Sequence, residues 1–133
     1  MIPRTTTLND HRKARILIIE DEPMLVFCLE ELLTEAGFEI SDVASRLPRA
    51  LAAIERGMCD AAIVDANLAG VSASPAVLAL AARGVPFIVL SGYLPEQHTS
   101  AFSGAHCLQK PCQPELLIKT LRGILPNNSL QEV

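Results

Sequence analysis

Residues 15–23 read RILIIEDEP. The apolar run, Arg15–Glu20, suits the middle of a sheet, yet it runs straight into Glu20, Asp21 and Glu22. Clustered carboxylates at the mouth of a buried strand repel one another and are costly to desolvate. Pro23 then stands where a first helical position belongs, and Met24–Ala36 carries apolar residues at helical spacing until Gly37 stops it. A buried strand, an acidic turn and a helix open an α/β unit, and the acids pose the question of what neutralises them.

Working outward, the same alternation continues to the end of the chain. Glu39–Val43 is a shorter, more polar strand expected at the sheet edge. Leu47–Arg56 reads as a helix ended by Gly57, and Asp60–Asp65 (DAAIVD) as the third strand. Ala73–Arg83 is a helix rich in alanine and leucine, closed by Gly84. Pro86–Leu90 (PFIVL) is the fourth strand and Pro95–Phe102 a short helix. Ala105–Gln109 is the fifth strand, and Pro114–Leu125 the last helix. Strand–helix alternation implies a parallel sheet with helices on both faces. Near-continuous apolar strands agree, because parallel strands are buried on both sides.

The chain of 133 residues is expected to form one domain over residues 14–125, with tails at 1–13 and 126–133. Half of it is hydrophobic, but no window approaches the ~18 apolar residues of a membrane span. The first ten residues contain no apolar stretch of the kind a secretory leader needs. A net charge of −4 argues against a nucleic-acid binder, despite the locally basic Arg4, Arg12, Lys13 and Arg15. Cys28, Cys59, Cys107 and Cys112 show no C-x-x-C spacing and read as reduced thiols packed as small hydrophobes, in a cytoplasmic protein. His106, Cys107 and Cys112 do not make a zinc pattern, since Lys110-Pro111 interrupts them and no second ligand pair matches.

In a parallel sheet, ligands bind beyond the carboxyl ends of the strands. The first strand delivers Glu20 and Asp21 there. The third delivers Asp65, then Ala66 and Asn67; the fourth, Ser91, Gly92 and Tyr93; the fifth, Lys110 and Pro111. Mg²⁺, a hard cation, takes oxygen ligands from one or two carboxylates together with waters and phosphate oxygens. It would relieve the repulsion between Asp21 and Asp65 and hold Glu20 directly or through water. An aspartate is also a competent nucleophile toward phosphorus, and phosphoryl transfer asks chiefly for positioning and charge neutralisation. Lys110 supplies positive charge, and the Ser91 hydroxyl a donor, whereas Glu22 reads as an acid at the N-terminus of the first helix that favours its dipole.

ILIIEDEP, AAIVDANLAG, FIVLSGY and LQKP, in this order and spacing, resemble the response-regulator receiver domain over residues 14–125. The resemblance implies a flavodoxin-like (βα)5 doubly wound sandwich with a five-stranded parallel sheet of order 2-1-3-4-5. It implies Asp65 as phosphoacceptor, Glu20 and Asp21 as the acidic pair, Ser91 as the hydroxyl residue and Lys110 as the lysine of the family. The backbone carbonyl of Asn67 is implied as a further Mg²⁺ ligand, beside Glu20, Asp21 and Asp65. PFIVLSGY is moreover similar to the Pro-Phe-x-Phe-Ala-Thr-Gly-Tyr pattern of single-domain receivers associated with alphaproteobacterial histidine kinases of the HWE type.

Three departures stand out. DANLAGVSAS replaces the Met-Pro and Asp-Gly usual after the phosphoacceptor, so that loop and the start of the third helix are expected to be remodelled. Gly92-Tyr93 follows the hydroxyl position instead of a small residue, and Cys107, read as a buried strand residue, takes the place of the aromatic switch. The signalling switch is therefore expected at Ser91, Gly92 and Tyr93.

The expected function is a stand-alone response regulator, with no enzyme activity beyond its own phosphotransfer and autodephosphorylation. It would take a phosphoryl group from a histidine kinase or histidine phosphotransfer protein and act on a downstream protein. Neither nucleic acid nor membrane is an expected partner, and a monomer or weak dimer is expected. Two alternatives are an aspartyl-phosphate phosphatase and a phosphorylation-independent scaffold. The first would place an Asp where Asn67 stands; the second would show erosion of the acidic or lysine positions, and none is visible.

Overall fold

The computed structural model describes residues 12–92 and 106–125. The strands of the central sheet are β1 (Arg15–Ile19), β2 (Glu39–Ala44), β3 (Ala61–Asp65), β6 (Phe87–Ser91) and β7 (His106–Gln109). A small separate hairpin, β4 (Asn67–Leu68) and β5 (Val71–Ser72), follows β3. The helices are α1 (Pro23–Glu35), α2 (Leu47–Arg56), α3 (Ser74–Ala82) and α4 (Pro114–Ile124). The sheet is parallel, in the order β2-β1-β3-β6-β7. With the hairpin set aside, this is the expected order 2-1-3-4-5. The helix expected at Pro95–Phe102 lies outside the described residues.

Alternation along each strand builds two cores. Leu17, Ile19, Ala62, Val64 and Val89 face α2 and α3, packing on Ile54, Val77 and Leu80. Ile16, Ile18, Ile63, Ile88 and Leu90 face α1 and α4, packing on Leu29, Leu33, Leu117 and Leu121. Both faces are covered, so the three central strands β1, β3 and β6 are apolar along most of their length, while β2 and β7 at the ends of the order carry polar residues. Arg122 of α4 ties that layer together: it donates to the carbonyl of Ala36 at 3.0 Å, and its guanidinium lies 5.8 Å from the Phe38 ring centre.

Among the described residues, the expected elements form where the sequence places them, with ends moved by a residue. β6 runs one residue later than expected, which puts Ser91 on the strand itself. Pro lies in the first turn of each of the four described helices, where its missing N–H costs nothing. Two expectations need correction. Cys28 is exposed, because Leu29 and Leu33 set the inward face of α1 and leave its neighbour outside. Cys107 is half-buried, since β7 ends the order of the described sheet. All four cysteines are free thiols.

The remodelled loop after β3 takes the form of the hairpin. Asn67 pairs with Ser72 and Leu68 with Val71, leaving Ala69-Gly70 as a two-residue turn. Both turn residues have positive φ, 50° at Ala69 and 86° at Gly70. That combination matches the turn whose twist suits a hairpin, with Asn-Gly as the favoured pair. Gly adopts it freely, whereas Ala in the left-handed region costs roughly 1–2 kcal/mol. Ala69→Asn, at an exposed position, should therefore stabilise the protein by about 0.5 kcal/mol. Thermal denaturation checks this: an unchanged or lower Tm would show that the turn does not carry the strain.

Candidate functional site

The chain order reverses between β1, whose next strand lies on one side, and β3, whose next strand lies on the other. Loops leaving neighbouring strands in opposite directions open a crevice at their carboxyl ends. What stands there follows from where each strand stops. Beyond β1, the Glu20 N–H still donates to the Ala44 carbonyl at 3.0 Å, so its side chain is turned inward and is only 1% exposed. Asp65, the last residue of β3, is 7% exposed. Ser91 ends β6 and is buried. Lys110 follows β7, and its N–H donates to the Ser91 carbonyl at 2.8 Å.

These side chains meet. The Lys110 Nζ lies 3.4 Å from Glu20 Oε1 and 3.4 Å from Asp65 Oδ2. The Glu22 N–H donates to Glu20 Oε2 at 3.2 Å, and the Asn67 N–H to Asp65 Oδ1 at 3.2 Å. Glu20 Oε1, buried beside the ammonium, has no hydrogen bond of acceptable geometry. Carboxylate oxygens of Glu20, Asp21 and Asp65 lie within 4.8 Å of one another, with Asp21 the half-exposed member. Among the described residues this is the one such group of three. A hard oxygen donor set, crowded, partly open to solvent and with a buried acceptor oxygen to spare, fits Mg²⁺.

The electrostatics register the crowding. Burial, and then the charge of Asp65, push the Glu20 carboxyl up to about 7, against the Glu22 N–H and Lys110, which favour its ionised form. Burial alone would pull the Lys110 ammonium down, but Asp65 and Glu20 together outweigh it, and the net direction is upward.

The response regulator receiver domain family model matches residues 16–122. The chain belongs to that family. The receiver is 34% identical to SdrG from Sphingomonas melonis Fr1, covering 91% of this chain and 98% of that one, with a TM-score of 0.72. It is 29% identical to the receiver domain of the Erythrobacter litoralis response regulator PhyR, covering 84% and 88%, with a TM-score of 0.73. The transcriptional regulatory protein TcrA of Mycobacterium tuberculosis is 40% identical over 57 residues, 43% of this chain. That match spans 22% of TcrA, so the receiver corresponds to a minor part of that relative.

Of the residues singled out in the sequence, the receiver's fold brings Glu20, Asp21, Asp65 and Lys110 into one cluster, with Ser91 buried at the next strand end. Asn67 borders it through its backbone, while its exposed side chain turns away: Oδ1 accepts the Gly70 N–H at 2.7 Å. Gly92 is exposed beyond β6, and Tyr93 lies outside the described residues. Glu22, which the sequence suggests as a partner for the α1 dipole, occupies the N-cap without a side-chain capping bond and serves Glu20 through its N–H. The hairpin is the feature sequence reading misses. Its signal was the Asn67–Gly70 spacing, obscured because Ala rather than Asn fills the first turn position.

The raised Glu20 pKa sets a pH dependence for the metal-free protein. Folding favours the protonated form, so this contribution is fully present below the ordinary value of 4.5 and is lost as pH rises through about 7. Denaturant unfolding in chelator should show stability falling across that window. Glu20→Gln, neutral at every pH, should flatten the fall and be more stable than wild type at pH above about 7. Parallel pH profiles for the two proteins would sink the assignment.

Proposed function

We propose that the receiver accepts a phosphoryl group on Asp65 in a reaction that needs Mg²⁺. The observation that carries this reading is the Lys110 ammonium, 3.4 Å from Asp65 Oδ2, beside two further carboxylates at the same strand ends. Glu20, Asp21 and Asp65, with the backbone carbonyl of Asn67, would hold the metal. When bound, Mg²⁺ would screen the acids from an incoming phosphoryl group and neutralise charge on its oxygens.

The protein's own groups do the rest. Asp65 is anchored on one oxygen by the Asn67 N–H and attracted on the other by Lys110. Its carboxylate attacks phosphorus as the bond to the donor's imidazole nitrogen breaks, and the leaving imidazole takes up a proton. Lys110 then balances the charge on the new acyl phosphate, and the Ser91 hydroxyl is suited to donate to a phosphoryl oxygen. A histidine kinase or histidine phosphotransfer protein is the donor this chemistry calls for. Met24 and Phe27, exposed on α1 just after the acidic turn, offer it apolar surface. Readout runs through Ser91 and the Gly92-Tyr93 segment toward a downstream protein, because Cys107 lacks the bulk to report the change.

A phosphatase reading has less support. It asks for an acid two residues after the nucleophile, and Asn67 there is neutral and committed to its own turn. The test is acetyl phosphate with Mg²⁺, followed by intact-protein mass spectrometry. One phosphoryl group should be added to wild type, none to Asp65→Asn, and none to wild type in excess chelator. Equal modification of Asp65→Asn would reject the acceptor, and labelling undiminished by chelator would reject the metal.

A further inference from the structure

The loop directly after the acceptor has a side chain with no role in the chemistry above. Asn67 Oδ1 accepts the Gly70 N–H at 2.7 Å, closing the Ala69-Gly70 turn from within. Asn is suited to this, since its short carbonyl reaches the backbone two or three residues on. The same residue's N–H donates to Asp65 Oδ1 at 3.2 Å. One residue thus holds the turn with its side chain and the acceptor with its backbone.

The hairpin needs such a fastening. Its ladder has two residue pairs, Asn67 with Ser72 and Leu68 with Val71, and a two-stranded ribbon that short is marginal by itself. Ala69 at φ 50° opposes it. Its base is fixed on the body of the protein: the Ala66 N–H donates to Leu90 at 2.9 Å, the Ala73 N–H to Ala66 at 3.0 Å, and Leu68 is buried. Between that base and the strained tip, the main chain of Asn67 is free to tilt unless the turn is closed. Tilting would move the N–H that orients Asp65, and with it the carbonyl proposed above as a metal ligand.

We infer that Asn67 is a positioning residue for phosphoryl acceptance, acting by locking the β4–β5 turn. This rests on Asp65 being the acceptor. It assigns the Asn67 side chain to the rigidity of the loop and not to contact with the phosphoryl group or its hydrolytic water. The departure from the usual receiver loop then keeps the acceptor aimed by a hairpin.

Initial rates of labelling from acetyl phosphate, in saturating Mg²⁺, test this on three proteins. Asn67→Ala should be slowed about tenfold, within the range that misplacement of a reacting group costs. In Asn67→Ala/Ala69→Asn, the second substitution favours the same turn without touching Asp65 or the metal site, and it should recover most of the lost rate. Hydrogen exchange at the Gly70 amide, read by NMR, should speed up in the single variant and slow again in the double one. Two results would overturn the inference: a single variant labelled at the wild-type rate, or a double variant with Gly70 protected again but labelling as slow as the single. The second result would mean that the amide group acts at the site itself. Wild-type protein that takes no label at Asp65 would overturn both this inference and the reading it rests on.

Discussion

Crowding Glu20, Asp21 and Asp65 to within 4.8 Å of one another is the constraint to which the rest of the structure answers. At that separation each pair of ionised carboxylates repels by roughly 3 kcal/mol at an effective dielectric of about 20. Lys110, 3.4 Å from two of the three, offsets part of this. Three negative charges against one positive leave two, the charge of one divalent cation. In the metal-free protein the remaining strain appears as the raised Glu20 pKa, held there by burial and by Asp65. The protein thus keeps its acids in a state that a proton or a metal relieves, and that state costs stability unless one of them is present.

Such a cluster is tolerable because of where the sheet puts it. The acids follow β1 and β3, the adjacent strands at which the chain order reverses, so solvent and ions reach them through the crevice while the strands below stay dry. Isoleucine-rich β1 and the fully buried β3 supply rigid rails for Glu20 and Asp65. Lys110 arrives from the far side of β6, and its N–H joins the Ser91 carbonyl, which fixes the ends of β6 and β7 relative to each other. A cluster built on strand ends inherits the precision of the sheet.

This explains what the sequence made legible. Two strand ends are marked by abrupt changes from apolar to charged residues, at Ile19-Glu20 and Val64-Asp65, and a parallel sheet turns those marks into spatial neighbours. The sequence told less about residues whose role lies in the backbone. Glu22 looked like a dipole partner for α1, but its N–H anchors Glu20. Asn67 looked like a carbonyl donor, but its N–H and side chain also hold the loop. Cys28 looked like packing and is exposed, because a helix apolar over much of its surface does not say which stripe faces inward. Main-chain hydrogen bonds and helix rotation leave little trace in residue type.

The hairpin carries the same lesson one step further. A glycine-rich or proline-fixed loop could bring α3 back to the sheet without strain, yet here a non-glycine residue sits at φ 50°. Strain of this kind persists where surrounding structure over-determines it. The buried Leu68, the Ala66 and Ala73 main-chain bonds and the Asn67 side chain all converge on the same short ribbon. They converge next to Asp65, the residue whose orientation the rest of the cluster depends on. The acid cluster and the hairpin therefore meet at Asp65: the first concentrates charge there, and the second holds Oδ1 of the same carboxylate through the Asn67 N–H.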